Sequence, residues 1–195
     1  YSIGFMLSDY VAQIVGRMCN TFTPMFSEYE AKGERSSFRD LLVNSSRFSC
    51  LIGIPAGLTA IALGRDFIHL WLGWEYDLAY TVMVILMVSR MAGFPTASMS
   101  SMLFGIGKHH INLYTGVFEA IVNIVLSVIL VRRYGIVGVA VGTMVPMVLA
   151  NLFYPVLVCR SVGLDLRQWV VEGVLRPGLM CAVFFCALEL ITVVS

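Results

Sequence analysis

Arg90 lies in the middle of a long apolar block, between Ser89 and a Gly93-Phe94-Pro95 break. An unpaired arginine at bilayer depth costs at least about 2.5–3.5 kcal/mol, so an acid or an anionic ligand must face it. Two carboxylates inside apolar stretches can serve, Glu119 and Asp9. Glu119 is followed one helical turn later by Asn123, which puts both on one helix face, where they could take up and release a proton or a cation. Asp9 belongs with Gln13, Arg17 and Asn20 to a stripe repeating every three to four residues. A helix wrapped in lipid would not tolerate that stripe, so it must face protein or water. The chemistry these residues allow is ion pairing, hydrogen bonding and ion exchange. Two apparent motifs carry less. Gly105-Ile106-Gly107-Lys108 lacks the spacing and the following Ser or Thr of a phosphate loop, and His109-His110 has no third ligand nearby. Neither a metal nor a cofactor is expected.

The elements that position these residues are membrane helices. Of the 195 residues 58% are hydrophobic and 13% charged, with mean hydropathy +0.85, whereas a soluble domain carries about 25% charged residues. A water-soluble core could not hide so much apolar surface. The net charge of +1 provides no basic field for nucleic acid. Cys19, Cys50, Cys159, Cys181 and Cys186 are scattered, with neither a disulfide framework nor a zinc spacing. At roughly 20 residues per span, the apolar blocks 2–26, 48–70, 79–104, 111–131, 135–158 and 170–194 predict an all-α integral membrane fold of about six transmembrane helices in a single domain, 1–195. The chain begins at Tyr1 inside an apolar stretch, as expected of a piece of a longer protein.

The one strongly polar connection, Ser27 to Arg47, predicts an amphipathic stretch at the membrane surface. Trp71, Trp74 and Tyr76 would anchor the opposite interface. Prolines at 55, 95, 146, 155 and 177 invite kinks, and Gly53 with Gly57, and Gly138 with Gly142, permit close helix contact. Glu172 and Arg176 are one turn apart, spaced for a local pair; Glu189 has no evident partner. Orientation follows from the basic residues on alternate connections. Lys32, Arg35, Arg39, Arg47, Lys108, Arg160 and Arg167 fall on one side and Arg65, Arg132 and Arg133 on the other. The first side is therefore expected to be cytoplasmic.

Several segments together resemble a known family. They are Pro24-Met25-Phe26-Ser27 with Lys32-Gly33-Glu34, Gly64-Arg65-Asp66-Phe67-Ile68 through Trp71-Leu72-Gly73, Gly105-Ile106-Gly107-Lys108, and Asn123 through Arg133-Tyr134-Gly135-Ile136-Val137-Gly138 to Thr143. In order and spacing they are similar to the polysaccharide transporter family, which holds the O-antigen and capsule repeat-unit flippases. Its superfamily also holds multidrug exporters and the lipid II flippase. The resemblance implies 12–14 helices in two lobes around a central cavity working by alternating access, with this chain forming most of the C-terminal lobe and the N-terminal lobe absent. The implied cargo is an oligosaccharide on a polyprenyl pyrophosphate, moved across the cytoplasmic membrane without covalent chemistry. The implied partners are that lipid, the bilayer, the missing N-terminal lobe and a polysaccharide polymerase.

Within this resemblance Arg90, Arg17, Asn20 and Tyr10 are the substrate-binding candidates, the arginines for the pyrophosphate and Tyr10 for stacking on a sugar ring. Glu119, Asn123 and Asp9 are the ion-coupling candidates. Structural roles compete with each: an ion pair for Arg90 with Glu119 or Asp9, snorkelling to the interface for Arg17, and an interhelical hydrogen bond for Glu119. A drug exporter driven by sodium or protons is one alternative, and the cationic arginines argue for anionic cargo against it. A membrane enzyme of polysaccharide assembly is another. It would need reactive groups on a sizeable loop, while the outward connections offer only Asp66, His69, Glu75 and Asp77.

Overall fold

A computed structural model of the chain describes residues 1–181 and defines an all-α membrane protein. Helix α1 (Ser2–Asn20) is followed by the short α2 (Thr23–Lys32), then α3 (Arg35–Leu72) and, after a 3-10 turn at Trp74–Tyr76, α4 (Asp77–Gly105). Next come α5 (His110–Val162) and α6 (Leu166–Gln168), the latter running directly into a π-helical segment, Trp169–Leu175. Among the described residues three helices, α3, α4 with its leading turn, and α5, are long and apolar enough to cross a membrane. Helix α1, with its stripe of Asp9, Gln13, Arg17 and Asn20, is not among them.

The first apolar block does not continue to residue 26. It ends at Asn20, and Pro24 in the first turn of α2 opens a new helix, as suits a residue that lacks an amide hydrogen and has a fixed φ. Gly33, with φ 70°, closes α2 in the left-handed conformation that costs glycine little. The polar connection is itself helical, because α3 already begins at Arg35 and runs for 38 residues. At about 1.5 Å per residue that is roughly 57 Å, well beyond a hydrocarbon core of about 30 Å, so its charged first turns project from the bilayer. Helices α3, α4 and α5 continue through Pro55, Pro95, Pro146 and Pro155.

Helix α5 is a hairpin. Its 53 residues are interrupted at Gly135, whose φ 58° and ψ −136° are not helical. The two arms, 110–134 and 136–162, fold back on each other. A Cβ at Gly138 would stand 2.3 Å from the Leu130 carbonyl oxygen, and one at Gly142 would stand 2.7 Å from Ser127 Oγ. Glycine is what lets these backbones approach. The outer face of the first arm, including Phe118, Ile121, Ile124 and Val128, is exposed and apolar, the surface expected towards acyl chains.

The same device packs α3 against α4. Cβ atoms at Gly53 and Gly64 would stand 2.4 Å from the Phe94 ring and the Met83 methyl. These pairings make α3 and α4 antiparallel, whereas α1 runs parallel to α4, with Gly4 opposite Ala79 and Asn20 bonded to Ser101. Small hydroxyls line the seams. Ser46 and Ser98 share a hydrogen bond of 2.6 Å, and Trp169 Nε1 donates to Ser46 at 2.9 Å. All three side chains are buried. The main core gathers Phe26, Phe38, Leu42, Met99, Leu103, Val158 and Trp169 at the same end, tying α2 and the segment after α6 to the spans. The predicted Glu172–Arg176 pair does not form: the Glu172 carboxylate accepts from Gln168 at 3.4 Å, and its carbonyl accepts from Arg47. Residues 182–195, with Glu189, Cys186 and most of the last predicted block, lie outside the described residues.

Candidate functional site

The parallel packing of α1 on α4 determines which acid meets Arg90. Its Nη2 lies 2.7 Å from Asp9 Oδ1, and the two side chains are 22% and 26% exposed. The other oxygen of Asp9 accepts from Gln13 Nε2 at 2.7 Å, so the first two members of the α1 stripe form one bonded unit. Phe5, one turn before Asp9, places its ring 5.7 Å from the Arg90 guanidinium carbon, within cation–π range. Arg90 is therefore held on two sides while keeping part of its surface open.

Glu119 approaches from the first arm of α5. It lies within electrostatic reach of Arg90 but does not bond to it. Its side chain lines an open cavity of about 230 Å³ between α4 and both arms of α5, with Thr96, Ser100, Asn112, Asn151 and Tyr154 supplying most of the polar lining. Thr96 Oγ1 donates to Asn151 Oδ1 at 2.7 Å, Asn112 Nδ2 donates to Ser100 Oγ at 3.0 Å, and the Tyr154 hydroxyl donates to Asn112 Oδ1. Asn151 Nδ2 is occupied by the Met147 carbonyl at 2.8 Å. Among the described residues Glu119 alone of this group has neither a hydrogen bond nor an ion pair. A carboxylate in that position can accept a cation, a proton or a ligand hydroxyl without breaking an existing contact.

The remaining predicted residues separate from this centre. Asn123 Oδ1 accepts from Ser127 Oγ at 2.9 Å, one turn further along the same arm of α5. Asn20 Oδ1 accepts from Ser101 at 2.9 Å, a bond that joins the ends of α1 and α4. Tyr10, next to Asp9, is 53% exposed. Arg17 is exposed on the later half of α1, and among the described residues its guanidinium forms no bond. Tyr10 and Arg17 thus share the open surface of α1.

The polar cavity itself was not anticipated, although Thr96 and Ser100, four residues apart, and Asn151 and Tyr154, three apart, carry a helical-spacing signal. Among the described residues no group of His, Cys, Asp and Glu could hold a metal ion.

Fold and site together define a multi-pass helical membrane protein with charged and amide side chains gathered around an interhelical polar cavity. A family model described as "Lipid II flippase MurJ" matches residues 13–195, and the chain belongs to that family. The match supports the superfamily inferred from the sequence segments, through the lipid II branch rather than the O-antigen and capsule branch. It is a family of transporters of lipid-linked glycans rather than of catalysts. Among curated proteins, the chain is 25% identical over 126 residues to a "Probable low-salt glycan biosynthesis flippase Agl15" of Haloferax volcanii, across 65% of this chain and 27% of that protein. The chain thus spans about a quarter of the length of that relative. No solved structure matches it.

Proposed function

We propose that this chain forms most of one helical lobe of a flippase that carries a polyprenyl-linked oligosaccharide across the cytoplasmic membrane by alternating access. The observation that carries the reading is Arg90, a partly exposed cation within an apolar helix, which among the described residues pairs with Asp9 alone. A pyrophosphate offers an arginine more acceptor oxygens than one carboxylate does, and charge-assisted bonds to phosphate are strong. The headgroup would exchange with Asp9 for the guanidinium, and the freed carboxylate would retain Gln13. Tyr10 offers an exposed ring to a sugar face, while Arg17 and Asn20 continue the polar path along α1. Glu119 takes the coupling role, its charge state set by an ion or proton and felt by Arg90.

The segments quoted from the sequence favour a surface-polysaccharide repeat unit as cargo, with a polymerase downstream; the family's name favours a peptidoglycan precursor. The basic residues of the Ser27–Arg47 segment favour a cytoplasmic position for that connection. Full-length protein in proteoliposomes tests the function. Lipid-linked O-antigen or capsule repeat units and lipid II are loaded in separate preparations, and the saccharide is detected with a membrane-impermeant oxidant. Outward movement of at least one lipid-linked glycan, lost in Arg90→Ala, is the expected result. Export of cationic drugs with no movement of any lipid-linked glycan would reject the reading.

A further inference from the structure

At the end of the bundle where α2 meets α3 lies a second cavity, of about 520 Å³. Three separate turns build it. The α2–α3 turn and the helix ends beside it contribute Glu30, Arg35 and Arg39, the α4–α5 turn contributes Lys108, and the end of α5 contributes Ser161 with Gly163 just after it. Three cations thus face one carboxylate. Arg35 and Arg39 are one turn apart on α3, and among the described residues neither guanidinium is engaged in a hydrogen bond or ion pair. The Lys108 ammonium donates to the Ser161 carbonyl at 3.0 Å, which leaves two of its three protons for a ligand. Arg35 Nη1 passes 4.0 Å from where a Cβ at Gly163 would stand, so the residues after α5 lie alongside the exposed guanidinium without filling its space.

The backbone adds to the field. Helix α3 begins at this cavity with no side-chain cap from Glu34; the Arg35 amide bonds the Gly33 carbonyl at 3.0 Å, which leaves the Ser36 and Ser37 amides at the helix end, where the dipole favours an anion. Ser36, in that first turn, lines the cavity. Lys32 is a cation of the same turn that does not belong to the lining: it is paired with Glu28 at 2.5 Å.

We propose that this cleft binds the phosphate of an anionic phospholipid headgroup. Its position argues for a lipid over a soluble phosphate. The cleft lies where charged first turns of α3 leave the bilayer, level with α2, whose Phe26 is buried and whose Met25 is exposed. The leaflet on the basic side of a membrane protein is rich in anionic lipid. The site is separate from the Arg90 centre: Arg90 is fifteen residues from the end of α4 at Gly105, roughly 22 Å along the helix. Nothing in this proposal rests on the flipping reading. A lipid bound here would brace α2, α3 and the α4–α5 turn against one another.

The test uses full-length protein in nanodiscs of phosphatidylcholine doped with phosphatidylglycerol, with retained lipid counted by native mass spectrometry. Each Lys or Arg near a membrane surface contributes about fivefold to anionic-lipid affinity. The triple variant Arg35→Gln, Arg39→Gln, Lys108→Gln is therefore expected to lose enrichment of phosphatidylglycerol by about a hundredfold. Lys32→Gln, outside the lining, is expected to keep it. These positions are on the surface, and unchanged thermal unfolding of the triple variant confirms its fold. Inorganic phosphate is titrated in parallel. Phosphate binding that depends on the three cations, without lipid enrichment, would assign the site to a soluble anion and overturn the lipid source. Equal lipid retention in the wild type and the triple variant would overturn the site itself.

Discussion

Asp9 of α1 and Arg90 of α4 meet at 2.7 Å across two helices that run in the same direction. Helices joined by a short turn are antiparallel, so a parallel pair must belong to different hairpins and cannot be held in register by a loop. The register of α1 on α4 is set instead by the close approach of Gly4 to Ala79 and by the bonds of Asp9 and Asn20. The proposed binding contact for cargo is therefore also a packing contact. A headgroup that takes Arg90 from Asp9 would loosen the seam between α1 and α4, which is one way binding can be linked to a change of conformation.

Asp9→Asn is expected to destabilise the full-length protein by about 1–3 kcal/mol. This is less than the cost of breaking a fully buried pair, because both side chains retain some contact with solvent. The exchange Asp9→Arg with Arg90→Asp is expected to recover most of that stability while leaving transport of the lipid-linked glycan impaired, since the cation has moved to the other helix. Thermal unfolding in detergent and the proteoliposome assay together check this. Full transport by the exchanged variant would show that Arg90 has only a packing role.

Glu119→Gln removes a charge without removing a bond, because among the described residues this carboxylate has no partner. Stability is expected to change by less than about 1 kcal/mol, the value of an ordinary hydrogen bond. If Glu119 couples transport to an ion, the rate under an imposed sodium or proton gradient is expected to fall about tenfold, to the rate without a gradient. Measuring both gradients in one preparation separates the ions. An undiminished response to each would remove Glu119 from the coupling path.

Arg90 could be picked out from the sequence because a charge in an apolar block carries a cost that something must offset. Its partner could not. Asp9 and Glu119 were both available, and only the parallel packing of α1 on α4 decides between them. The polar cavity was hidden for a related reason: Thr96, Ser100 and Asn112 are residues that membrane helices use routinely to bond their own carbonyls or a neighbour, so their convergence is a property of the packing. The turn between the arms of α5 was legible in the short connection at 132–134. The helical start of α3 at Arg35 was not, because the segment's charge marks it as lying outside the bilayer without saying whether it is coiled.

The glycines divide into two kinds that alanine can distinguish. At Gly138 a Cβ would meet a backbone oxygen at 2.3 Å, whereas at Gly116 it would meet nothing within 4 Å. Gly138→Ala must push the arms of α5 apart, and a cost of about 1–3 kcal/mol is expected. Gly116→Ala is expected to be neutral or to gain up to about 1 kcal/mol from helix propensity. Gly135→Ala joins the costly group for a different reason, since φ 58° with ψ −136° is a strained conformation for any side chain, worth about 1–3 kcal/mol. Parallel unfolding curves of the three variants check the ranking, and equal stability at 116 and 138 would contradict the hairpin.

Trp169 reaches back from beyond α6 to donate to Ser46, which in turn bonds Ser98, and the three side chains are buried together. Ser46→Ala leaves the indole N–H without a partner in an apolar site, so a cost of about 1–3 kcal/mol is expected. Trp169→Phe removes the donor and leaves Ser46 bonded to Ser98, so its polar component is expected to be smaller, about 1 kcal/mol. Once Trp169→Phe is in place, Ser46→Ala no longer strands the indole. The double variant should therefore be less destabilised than the sum of the two single variants, by about 0.5 kcal/mol or more. Denaturation of the four proteins completes the cycle. Additive costs would mean that the indole does not depend on Ser46, and that the segment after α6 is held to α3 by apolar packing and the Arg47 contact alone.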